Sequence, residues 1–143
     1  MDEEELRNTA MALRRSTTQL ARRLRARRPA GGPGRLGLSL LGHLFRRGPL
    51  TPGDLASAER LQPQSVTRAL ASLEANGLIE RATNPADRRQ AHITLTERGR
   101  HTLTEEMRTG DDWLARRLAE ALSPTEQRVV GLASELLARI AEP

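Results

Sequence analysis

Two short stretches of this 143-residue chain carry side chains able to grip an anion or read hydrogen-bonding edges. In PQSVTRALASLEANG, Gln64, Ser65, Thr67 and Arg68 lie off the apolar stripe of Val66, Ala69, Leu70 and Leu73, which recur at i, i+3, i+4 and i+7. Short or forked donors and acceptors of this kind contact base edges and phosphates. In NPADRRQ, Arg88 and Arg89 stand side by side behind Asp87. Adjacent cations repel unless something anionic meets them: a local carboxylate, water or a phosphate backbone. On the plainer reading Asp87 and an arginine form a surface ion pair worth ~0–1 kcal/mol. The other reading keeps that pair, lets Asp87 shape one arginine for a narrow minor groove, and sends the other to a phosphate.

Catalysis finds no support in the residues. No nucleophile neighbours a base, no pair of acids clusters, and GGPG follows no strand and lacks the lysine of a phosphate loop. The chain has no Cys, which excludes disulfides, thiol nucleophiles and thiolate metal sites. The histidines, His43, His92 and His101, are scattered rather than clustered at metal-ligand spacing, so neither metal nor cofactor is expected.

The elements that must position the two stretches follow from periodicity and stop signals. Asp2 to about Arg28 is a long helix, with Leu6, Ala10, Leu13, Thr17, Leu20 and Leu24 alternately four and three apart, the stripe of a helix lying along another helix. PAGGPG breaks it, and a second helix runs from about Leu36 to Arg46, its apolar face being Leu40, Leu41, Leu44 and Phe45. Thr51, Pro52 and Asp54 mark the start of a short helix ending near Glu59, with Leu50 and Leu55 as a hydrophobic staple. After a tight connection, Pro63 opens a helix that runs to Asn76 and stops at Gly77. Leu78–Thr83 and Ala91–Leu95 are strands joined by an Asn84–Gln90 turn, with Pro85 stiffening the tip. A helix from Thr96 to about Glu120 follows, then SPTE as a capping box and a last helix along Val129, Leu132, Leu136 and Ile140. The fold class is mainly α with a small β-hairpin: a helix-turn-helix followed by a wing, flanked by terminal helices.

All 23 basic residues are arginine, the net charge is +5 and the aromatic content is 1%. The basic balance suits nucleic acid without proving it. The core must be aliphatic and thin, so burial against a second copy would help. No apolar run spans a membrane, and the acidic beginning lacks a signal core, so a cytoplasmic, nucleoid-associated location is expected.

Taken together, DLA at Asp54–Ala56, VTR at Val66–Arg68, LEANGLIER at Leu73–Arg81, DRR at Asp87–Arg89 and LTERGR at Leu95–Arg100 resemble the DNA-binding core of the MarR family of bacterial transcription regulators. The order of the flanking helices is similar too, so the resemblance covers essentially the whole chain. It implies an N-terminal dimerisation helix over 1–30, a winged helix-turn-helix over 34–100 and C-terminal dimerisation helices over 101–143. It implies a homodimer on a pseudo-palindromic operator in double-stranded DNA, acting as a repressor and released by a small phenolic or lipophilic anion bound between the dimer helices and the winged domain. By the same resemblance Arg89 is the minor-groove finger and Arg88 the backbone contact. His43, on the second helix, is a candidate to line the ligand crevice; otherwise it is a half-buried residue satisfied by a neighbour. Gln62 stands where a Ser or Asp N-cap is common and caps poorly, so it is either a base contact or neutral. The cysteine of peroxide-sensing members is missing. The rival reading is an architectural DNA-binding or protein-interaction module using the same basic face.

Overall fold

The computed structural model describes residues 1–28, 30–84 and 86–141, with backbone alone at Asn84, Asp87 and Arg88. Among these residues run α1 (Glu3–Arg25), α2 (Gly34–Arg47), α3 (Pro52–Glu59), α4 (Pro63–Ala75), β1 (Ile79–Asn84), β2 (Asp87–Leu95), α5 (Glu97–Ala121) and α6 (Pro124–Ala141). The chain divides into two compact units, Met1–Met107 and Arg108–Pro143.

Local chemistry accounts for most boundaries. The Asp2 carboxylate accepts from the Glu5 amide at 2.8 Å, while the Glu5 carboxylate accepts from the Asp2 amide, closing a capping box at the start of α1. Acids fill the first turn of α1 and Arg22, Arg23 and Arg25 the last, matching the helix dipole. The helix ends at Arg25, three residues short of the expected Arg28. Thr51, Pro52 and Asp54 open α3 as expected, with a reciprocal box at 3.1 Å in each direction. Its staple partners Leu50 and Leu55 are both buried. At the end of α4 the Leu78 amide donates to Leu73 O and the Gly77 amide to Glu74 O, each at 2.9 Å. This is a complete Schellman stop, which needs the left-handed φ of 70° at Gly77.

The core of the first unit is aliphatic. Leu40 and Leu41 of α2, Leu55 of α3, Val66 and Leu70 of α4, and Ile93 of β2 are fully buried around one centre. Phe45 departs from expectation: it is 47% exposed, with the Arg100 guanidinium 5.4 Å from its ring centroid, and does not join the leucine face. Periodicity placed it on the apolar stripe, but the core is already closed by Leu41 and Leu44.

The hairpin also differs from expectation. β2 starts at Asp87, so Arg88, Arg89 and Gln90 belong to a strand rather than to a seven-residue turn. Thr83 pairs with Ala91 and Asn84 with Asp87, and the register shift between them leaves Arg88–Gln90 as extra residues of the longer strand. The stiffening expected of Pro85 and the pairing expected of the Asp87 carboxylate fall outside the described residues and side chains. A single bridge from Leu50 to Ile93, with N–H···O distances of 3.1 and 2.7 Å, lays a third extended segment beside β2.

In the second unit, Ser123 caps α6. Glu126 accepts from the Ser123 amide at 2.8 Å and its hydroxyl at 2.7 Å, while Gln127 Nε2 donates to the Leu122 carbonyl at 3.0 Å, closing the end of α5. Trp113 is buried, whereas no residue of α6 is.

Candidate nucleic-acid interface

α4 is fixed on one side and offered on the other. Val66, Leu70 and Leu73 lock it into the core, whereas Gln62, Gln64, Ser65, Thr67 and Arg68 are all exposed. The Thr67 hydroxyl donates to the Pro63 carbonyl at 2.8 Å. Its hydrogen is thus used within the helix, leaving an acceptor and a methyl group to meet a base edge. The amide of Gln62 does not cap α4, as poor capping by Gln predicts. The chain turns from α3 into α4 through Arg60, held at a left-handed φ of 54°, ψ 39°.

The hairpin is tied to α4 by a contact that sequence reasoning missed. Arg81 Nε of β1 donates to Glu74 Oε2 of α4 at 2.9 Å, both half-exposed. It joins positions seven apart across the Gly77 turn, and a cation and an acid flanking a helix stop would have been the signal. The base of the hairpin is fixed again where Thr96 meets the Gly77 turn. Its amide donates to Leu78 O at 3.1 Å and its hydroxyl to Gly77 O at 2.6 Å. Gly99 then passes so close that a Cβ there would lie 2.0 Å from Leu78 O, which explains the glycine in LTERGR. Arg89 is exposed on β2, next to Arg88 in the strand. Hydrogen bonds from the backbone amide and the hydroxyl of Thr51 hold the Asp54 carboxyl below its usual range.

A cavity of about 540 Å³ opens beside α2, on the same unit. Arg25, Arg28, Arg35 and Arg46 border it, with Glu106 the acid among them. Leu38, Phe45, Leu103 and Met107 supply its apolar wall. His43 is not among its lining residues. Instead its Nε2 lies 2.8 Å from Glu59 Oε1, half-buried between α2 and α3, so it is a polar residue satisfied by a neighbour.

Comparison with known proteins decides what this arrangement is. The sequence profile of the MarR family matches residues 37–91. An HTH-type transcriptional regulator of Mycobacterium bovis is 38% identical over 119 residues, 83% of this chain and 82% of that protein. The chain belongs to the MarR family. The fold agrees: a transcriptional regulator from Pseudomonas aeruginosa superposes with a TM-score of 0.87 at 31% identity, covering 100% of this chain and 99% of the other. A MarR family protein from Bacillus stearothermophilus gives 0.76 at 25%, covering 97% and 96%. This MarR-family chain is therefore a winged helix-turn-helix transcriptional regulator that binds DNA, and not an enzyme. No helix among the described residues is long and apolar enough to cross a membrane.

Proposed function

We propose that two copies of the chain bind a pseudo-palindromic operator in the cytoplasm as a repressor. Each α4 enters a major groove and each hairpin reaches the adjacent minor groove. The observation that carries this is the division of α4, with its apolar face sealed in the core and its hydrogen-bonding face open. Gln64, Ser65 and Arg68 read base edges, Thr67 offers its methyl and acceptor, and Gln62 lies beside them at the helix start. Arg89 is the minor-groove finger, and Arg88 and Asp87 serve the backbone and the shape of the tip. The dimer joins through residues 1–30 and 101–143, supported by the exposed Leu6 and Leu20 of α1 and Val129, Leu132, Leu136 and Ile140 of α6. The winged helix-turn-helix spans 34–100, and in the dimer the recognition helices lie about one DNA turn apart, roughly 34–36 Å.

A small aromatic or lipophilic anion is the effector. The arginine-bordered cavity supports this, because four cations around an apolar wall suit a carboxylate or phenolate carried on a ring. The residue expected to line it, His43, acts from behind the cavity instead.

Selection of bound fragments from the source genome, followed by titration at several salt concentrations, tests the proposal. The expected outcome is an inverted repeat bound by a dimer, with affinity falling steeply and linearly in log salt. Arg89→Ala is expected to weaken that binding at least tenfold with the dimer intact. Salt-labile binding with no preferred sequence would establish the architectural reading instead.

A further inference from the structure

The cavity and the helix-turn-helix share two side chains. Ser39 and Arg46 both border the cavity, and both also bond the pair that holds α3. The Ser39 hydroxyl donates to Glu59 Oε1, which also lies 2.8 Å from His43 Nε2. Arg46 Nη2 lies 3.4 Å from His43 Nδ1. The set is coherent in one proton arrangement: Nε2–H of His43 donates to Glu59, and Nδ1 accepts from Arg46. Arg46 reaches back because Gly42, one turn earlier, has no side chain; a Cβ there would lie 3.1 Å from Arg46 Nη1.

Glu59 is the last residue of α3, immediately before the left-handed Arg60 that turns the chain into α4. A carboxylate at a helix C-terminus has the wrong sign for the dipole. What keeps Glu59 there is its set of donors on α2, and every donor chain leads to a cavity-lining residue. Ser39 gives directly, and Arg46 gives through His43.

We propose that Ser39 and Arg46 couple occupancy of the cavity to the seating of α3, so that an aromatic carboxylate drawn in by the arginines unfastens the helix-turn-helix at Glu59. The coupling rests on the effector role of the cavity proposed above and names its transmission. An anion in the cavity competes for the Arg46 guanidinium and the Ser39 hydroxyl. His43 then loses the donor that orients its ring, Glu59 loses a direct donor, and the end of α3 that sets the approach of α4 is released.

The test uses the full-length protein, amide hydrogen exchange over residues 52–59, and benzoate as probe. Without any ligand, Ser39→Ala, Arg46→Ala and Glu59→Gln are each expected to speed exchange in α3 at least fivefold. Phe45→Ala, which removes cavity wall without touching the chain of bonds, should leave it within twofold of wild type. Saturating benzoate, its occupancy measured by calorimetry, should speed α3 exchange in wild type. In Glu59→Gln it should bind with an affinity within threefold of wild type and add less than twofold. Unchanged α3 exchange in Ser39→Ala and Arg46→Ala overturns the tether whatever the ligand does. Benzoate that binds wild type without altering α3 overturns the coupling and leaves the effector site standing. Benzoate that fails to bind overturns the effector site for this class of anion, and the coupling with it, while the ligand-free exchange rates still report on the tether.

Discussion

In α4 the apolar stripe Val66, Leu70 and Leu73 is 0–2% exposed, whereas in α6 the stripe Val129, Leu132, Leu136 and Ile140 is 54–74% exposed. The two helices carry the same kind of pattern, and helical periodicity says only that each has a face to bury. The winged unit supplies its own partners for α4 from α2, α3 and β1. The stripe of α6 stays exposed among the described residues. It is the face that the proposed second copy would bury, and the polar side of α4 is the face that the proposed operator would meet.

The sharpest way to break this contrast is to cut equal amounts of side chain from both stripes. Leu70→Ala is expected to cost ~2–5 kcal/mol of unfolding free energy. In dilute, dissociated chain, Leu136→Ala should cost less than ~0.5 kcal/mol; equal losses by urea titration would show that α6 is packed within its own chain. Next in size, Leu132→Arg with Leu136→Arg should weaken self-association at least hundredfold by sedimentation equilibrium without lowering the helix content. A persisting dimer would move the interface elsewhere. On the open side of α4, Arg68→Ala should weaken binding to the selected operator by ~1–3 kcal/mol and leave thermal unfolding unmoved. A fall in stability with unchanged DNA affinity would make Arg68 structural.

The smallest effect concerns two capping boxes, that of α3 in the first unit and that of α6 in the second. Hydrogen bonds from the Ser123 side chain and then its backbone lower the Glu126 carboxyl, much as Thr51 lowers Asp54. A carboxyl whose folded value is depressed stabilises the fold above its ordinary range, and this is lost as pH falls through its folded value. Stability should therefore decline below about pH 4, the ordinary carboxylate range. Thr51→Ala and Ser123→Ala should each flatten part of that decline and cost ~0.5–2 kcal/mol at neutral pH. If only Thr51→Ala does so in a unimolecular melt, α6 contributes little without its partner.

The features that could be seen in the sequence are those settled within a turn or two of chain. Thr51–Pro52–Asp54, Ser123–Pro124–Glu126 and Asn76–Gly77 each declare a helix end through contacts three to five residues apart, and all three stand as expected. Where long-range packing decides, the pattern fell short. Phe45 fits the stripe of α2 but is left outside a core already full. Arg88, Arg89 and Gln90 show no alternation of apolar and polar residues, so nothing local marks them as strand; pairing with β1 extends β2 past them. The Leu50 bridge is a single residue and leaves no periodicity. In the candidate interface the outer face of α4 was visible as the complement of its apolar stripe. Glu74–Arg81 and the Ser39–Glu59–His43 set were not, because their members lie 7 to 20 positions apart and meet only in the folded chain.

The meeting of Thr96 and Gly99 with the Gly77 turn has a consequence for how such proteins diversify. The chain leaves the helical scaffold at Leu78 and returns to the same carbonyl at Thr96, 3.1 Å away. Everything between is an excursion whose ends are already clasped. Lengthening such a loop costs only about 0.6 kcal/mol per doubling. Insertions and deletions beyond the buried Ile79 and Ile93, toward the tip of the hairpin, are thus nearly neutral for folding while changing how far that tip can extend. Evolution can adjust reach at the tip, while the clasp leaves no room for a methyl group at Gly99.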